Sequence, residues 1–174
     1  MEFKSGMKVQ SEVILIESIT YGSEPKHYYD DGIRHIYKFM DKDDNVFTWF
    51  TTKVLGFDFV TSRGNVDFEF INEGDKMEIR GTIKSIGEYK GEPQIIITRV
   101  KVTNVNKSNL SEDKINELKR IVQLAKYDRM PGVYKVINVS YREYKEKYKE
   151  YEVVHGSFKR TDHGSYVDII IYRG

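Results

Sequence analysis

The sequence predicts a mainly β protein: a five-stranded barrel over residues 1–105, then a C-terminal α+β extension over 106–174. Three observations carry this. Runs of β-branched and aromatic residues recur through the first hundred positions, separated by breaks rich in Gly, Asp and Asn. A less regular stretch, Lys53 to Glu73, divides three of these runs from two more. Beyond residue 110 the apolar spacing changes to three and four, the period of a helix.

The elements follow in order. Val9 to Ile19 has no interior breaker and reads as a long, curved first strand. Tyr21 to Gly32 carries Gly, Pro and Asp and reads as a loop. His35 to Met40 and Val46 to Thr52 form a hairpin around Asp41-Lys42-Asp43-Asp44-Asn45, whose residue types tolerate turn conformations. Lys53 to Glu73 would plug one end of the barrel or cross between strands. Gly74-Asp75 turns into a fourth strand, Lys76 to Ser85, and Gln94 to Val105 is the fifth. Ser111 is the expected N-cap of a helix with Ile115, Leu118, Ile121, Val122 and Ala125 on one face, ended by Met130-Pro131-Gly132. Val133 to Val139 is a short strand. Tyr141, Tyr144, Tyr148 and Tyr151 share one face if their segment is a helix; a twisted strand is the alternative, since Tyr favours sheets. This row reads either as a face packed on the barrel or as a dimer or partner surface. Val153 to Arg160 and Tyr166 to Tyr172 form a closing hairpin.

Composition narrows the function classes. Hydrophobic residues at 39% and charged residues at 32% are a globular balance. The formal net charge is only +1, so any basic surface is a local patch. The absence of cysteine excludes disulfides, a Cys zinc site and a Cys nucleophile. No apolar run approaches the roughly 18 residues of a membrane helix, and the N-terminus lacks a signal-peptide pattern. The expectation is a cytoplasmic protein without membrane contact, in the host cytoplasm if the source is viral.

The segment from Gly74 to Val100 is the most informative. Gly74-Asp75 precedes Arg80-Gly81-Thr82-Ile83-Lys84, then a Gly87-Glu88-Tyr89-Lys90-Gly91 loop and the strand Gln94-Ile95-Ile96-Ile97-Thr98-Arg99-Val100. This resembles the last two strands of OB-fold single-stranded DNA-binding proteins, particularly those of bacteriophages. Tyr37 to Asp41 with Asn45 to Thr51 resembles the second and third strands of that fold. The resemblance covers residues 8 to 105, and five strands with a connector after the third is the OB layout. Many such proteins end in an acidic tail; this chain ends in Asp168-Ile169-Ile170-Ile171-Tyr172-Arg173-Gly174, which reads as folded.

Candidate binding residues come from strand alternation. If Val46, Thr48 and Phe50 enter the barrel, Phe47 and Trp49 stand on the outer face of the third strand, where bases can stack. The opposite alternation buries Phe47 and Trp49 and exposes Phe50. Lys38 belongs to the outer face of the second strand beside Ile36 and Met40. Tyr28, Tyr29 and Arg34 flank this face in one loop, and Tyr89 and Lys90 in the other; Arg80 and Lys84 share a face of the fourth strand. Cations interleaved with aromatics suit a phosphate backbone with splayed bases.

No enzyme signature competes. His27, His35, His155 and His163 are scattered, and Asp41, Asp43 and Asp44 lack the Gly and closing Glu of a calcium loop. The expectation is a non-catalytic protein that needs no cofactor or metal and binds single-stranded DNA in replication or recombination. RNA is not separated from DNA, and self-association or replication-protein partners stay open. The alternative is an OB-fold adaptor that binds protein through residues 106–174.

Overall fold

The computed structural model describes residues 2–89, 91–107 and 110–173, without the side chains of Tyr89 and Arg129. The chain divides into two compact units, Met1–Ser111 and Glu112–Gly174. Among the described residues, no helix is long and apolar enough to cross a membrane.

The unbroken β-branched run near the N-terminus forms β1 (Lys8–Gly22), which serves two partners. Its first half pairs with β6 (Lys76–Tyr89), and its second half with β2 (Ile33–Met40). The register shifts between Leu15 and Glu17, where the partner changes. An extra residue there bends the strand and sharpens its twist. β3 (Val46–Thr51) returns beside β2 through the expected acidic turn. The Asp41 carboxylate accepts hydrogen bonds from the backbone N–H groups of Asp43 (2.9 Å) and Asn45 (2.8 Å). Asp44 takes the positive φ of 62° that the turn demands.

β7 (Glu92–Asn106) pairs antiparallel with β6 and parallel with β3, through Phe47↔Ile95 and Thr48↔Ile96. The five strands therefore close in the order β1-β2-β3-β7-β6. Closure removes the free edges that an open sheet exposes. Leu15, Phe39, Phe47, Ile79, Ile83 and Ile97 fill the interior, each no more than 1% exposed.

The stretch from Lys53 to Glu73 departs from the expected irregular plug. It forms a second, two-stranded sheet of β4 (Gly56–Val60) and β5 (Val66–Phe70). β5 alternates Val or Phe with acidic residues, a period of two, and β4 does so over Phe57-Asp58-Phe59, around a turn in which Gly64 has φ 79°. Buried Leu55 and Ile71 flank the hairpin and join through an Ile71 N–H to Leu55 carbonyl bond of 3.1 Å. Phe57 packs against the interior of the closed sheet.

The second unit begins with α1 (Glu112–Arg129), as the spacing of Ile115 to Ala125 predicts. β8 (Val133–Ser140) then leads into α2 (Tyr141–Lys147), and β11 (Gly164–Arg173) lies between β8 and the short β10 (Lys159–Thr161). The helix of the tyrosine row is shorter than a four-tyrosine face requires. Ser140 caps its start by accepting from the Glu143 N–H, and the chain leaves the helix at Tyr148. Tyr144, Tyr148 and Tyr151 pack on Val139, Val167 and Ile169 of this unit's own sheet. The expected terminal hairpin is interrupted: β9 (Glu152–Val153) pairs with β11, and only Lys159–Thr161 continues it. The interruption meets α1 at buried Gln123. Its amide donates to the Val153 carbonyl (2.8 Å) and Glu152 (3.0 Å) and accepts from the His155 N–H (2.9 Å). Burial pushes the Glu152 carboxyl up, but hydrogen bonds from Lys126, Tyr127 and Gln123 leave it below its ordinary value.

Candidate nucleic-acid interface

The hairpin register decides what the β2–β3 surface offers. Tyr37 lies opposite Trp49 and Phe39 opposite Phe47. Directly opposed residues share a face. Tyr37 and Phe39 point into the closed sheet, so Phe47 and Trp49 follow them inward. Phe47 is fully buried, with its ring edge-on to Phe3 at 5.5 Å, and Trp49 is 9% exposed beside Tyr37. Neither is a stacking platform. The outward reading of Phe47 and Trp49 is corrected by one residue of register, which exchanges the two faces of a strand. Phe50 is the exposed aromatic of β3.

Lys38 does turn away from the core aromatics Tyr37 and Phe39, yet it offers no open charge. Its side chain is 6% exposed, and its Nζ lies 3.2 Å from Glu17 and 3.4 Å from Glu92. Two carboxylates already neutralise it. Arg34 is likewise engaged. Its guanidinium grips both carboxylate oxygens of Asp30, which also accept the backbone N–H groups of Lys26 (2.8 Å) and Gly32 (2.9 Å). The Arg34 hydrogen bonds, with those backbone donors, hold the Asp30 carboxyl well below the usual carboxylate range. Arg34 thus fixes the loop. At the loop's tip Tyr28 and Tyr29 are 93% and 90% exposed, their rings edge-to-face at 5.3 Å. Exposed Lys26 and His27 precede them.

The open cations lie elsewhere on the first unit. Gln10, Arg80 and Lys101 form one rung across β1, β6 and β7, and Lys8, Thr82 and Thr98 the next. Between these rungs β7 carries an extra residue opposite Gly81, and Arg99 takes a φ of 54°. A bulge of this kind re-aims the side chains beside it. Lys8, Arg80, Arg99 and Lys101 are all exposed and line one groove of about 400 Å³. Among the described residues none of the four has a carboxylate within ion-pair distance. Gly81 contributes bare backbone to the groove; a Cβ there would sit 3.1 Å from the Thr98 carbonyl oxygen. Glu12 opposite Glu78 ends the patch on one side, and Gln10 and Asn104 hold the Glu78 carboxylate.

Arg80 is therefore in a cationic cluster as expected, joined by Lys8, Arg99 and Lys101, which strand reading alone did not single out. Lys84 is exposed further along β6, its carbonyl accepting from the Ser5 hydroxyl at 2.8 Å. Lys90 and the side chain of Tyr89 lie outside the described residues. The groove can hold phosphate oxygens, and the tyrosine pair can hold unstacked bases. Comparison of the chain with models of known families, with curated proteins and with solved structures finds no match.

Proposed function

We propose that the first unit is an OB-type barrel that binds single-stranded DNA, without catalysis and largely without regard to sequence, in replication or recombination. The groove of four uncompensated cations over the Gly81 backbone carries this reading. Phosphate neutralisation is the sequence-independent part of nucleic-acid affinity. On a chain of net charge +1, four clustered cations without carboxylate partners are a local exception that a polyanion explains. The closed order β1-β2-β3-β7-β6, with β3 and β7 parallel, supports the OB reading. Tyr28 and Tyr29 take over the stacking role that Phe47 and Trp49 do not fill. Their loop is held at its base by Asp30, so little ordering remains to be done on binding.

Fluorescence anisotropy with labelled oligo-dT, a duplex and an RNA of the same length tests the ligand class. Oligo-dT is expected to bind more tightly than the duplex. Changing both Tyr28→Ala and Tyr29→Ala is expected to weaken it by roughly 1–3 kcal/mol per stacked base, with unfolding unchanged. Equal affinity for duplex, or a double variant that binds like the native chain, would refute stacking on a single strand. RNA bound far more tightly than DNA would assign the site to RNA.

A further inference from the structure

The hairpin of β4 and β5 presents two unlike faces. Opposed residues share a face, which puts Phe57, Phe59, Asp67 and Glu69 on one side. Phe57 on that side packs against the core of the closed sheet. The other side carries Asp58 with Val60, Val66, Phe68 and Phe70, the last four 69%, 71%, 43% and 58% exposed. The Phe68 ring lies across the backbone of Gly56, where any Cβ would collide with it, and meets Phe70 edge-on at 5.3 Å. An apolar surface this concentrated is costly to leave in water, and on soluble proteins such patches mark binding sites. The hairpin is a sheet of two strands, so each has an outer edge unpaired among the described residues. Free edges accept an added strand.

Charge selects the occupant. The ten residues of β4 and β5 include three carboxylates, Asp58, Asp67 and Glu69, and no Lys or Arg. Lys107 approaches Glu69 at 3.8 Å, whereas Asp58 and Asp67 have no cation partner among the described residues. A phosphate backbone would be repelled here, while a basic peptide would not. We infer that a free edge of this hairpin docks an extended, basic segment of another protein as an added strand. Its apolar side chains continue the face of Val60, Val66, Phe68 and Phe70, and its cations continue the opposite face, beside Asp67. This surface is separate from the cationic groove, and the inference stands whether or not the groove binds DNA.

The test uses the full chain and two short labelled peptides, one alternating Lys with Val and one alternating Glu with Val. The basic peptide is expected to bind at least about tenfold more tightly than the acidic one. Val66→Thr with Phe70→Ser, both well exposed, should remove that binding and leave the unfolding midpoint in place. Asp67→Lys should remove the preference for the basic peptide. Equal binding of both peptides, or variants that bind as the native chain does, overturns the inference. So does a concentration-dependent dimer in sedimentation that Phe70→Ser dissolves, since a second copy would then cover this face.

Discussion

Trp49→Ala is expected to cost about 3–5 kcal/mol of folding stability, read as a fall in the urea midpoint. Trp49 is 9% exposed, packs against Tyr37 with ring centroids 5.8 Å apart, and belongs to the core of the closed sheet. Truncation leaves a cavity that neighbouring strands, locked by their ladders, only partly fill. Tyr37 compounds the loss. Its hydroxyl accepts from the Leu55 N–H at 3.0 Å, and it donates to the Lys53 carbonyl at 3.3 Å, so its ring cannot swing into the void without breaking these bonds. Trp49 is the only tryptophan, so its emission reports this one place. It should be blue-shifted and indifferent to oligonucleotide. A variant with native stability, together with quenching of the native chain by oligo-dT, would mean that β3 has the opposite register.

Lys101→Glu is expected to weaken oligo-dT binding while strengthening the fold. Arg80 and Lys101 are direct cross-strand neighbours of like charge, and such pairs are unfavourable. The native chain keeps this pair at some cost in stability, as a site for a polyanion would. A glutamate at 101 turns repulsion into attraction, worth about 0.2–1 kcal/mol. It also occupies Arg80, so two of four cations are withdrawn from the groove. On a single strand, two contacts amount to on the order of 50-fold in affinity at about 50 mM salt. Anisotropy and urea unfolding of the one variant read both effects. Unchanged binding would exclude the groove as the phosphate site, and lower stability would mean that the two side chains do not face one another.

Most of the first unit was legible in the sequence because its strands are long, β-branched and separated by turn residues. The turn at Asp41–Asn45 was legible for the same reason. Register was not. Placing Lys38 on the face away from the barrel interior was consistent with the structure, although its side chain is buried there. Nothing local stated that Tyr37 would meet Trp49, and not a neighbour one residue away. That single unknown exchanged the two faces of β3. The hairpin at Gly56–Phe70 was hidden by its phenylalanines and glycines, although its second strand alternates with a period of two. Of the candidate binding residues, Tyr28 and Tyr29 were read from loop composition and Arg80 from its strand. That Arg34, at the start of β2, pairs with Asp30 of the preceding loop was not legible in the sequence. Lys8 lies on β1, whereas Arg99 and Lys101 lie on β7. Only the pairing of β1 with β6, and the bulge at Arg99, brings them together.

The salt dependence of oligo-dT binding by the native chain tests the central claim most directly. Each phosphate contact on a single strand contributes about 0.7 to the slope of log affinity against log salt. Four cations in one groove therefore predict a slope on the order of −3. Anisotropy titrations at several salt concentrations measure it. A slope near zero, or no binding of oligo-dT at low salt, would contradict a single-strand site built on Lys8, Arg80, Arg99 and Lys101.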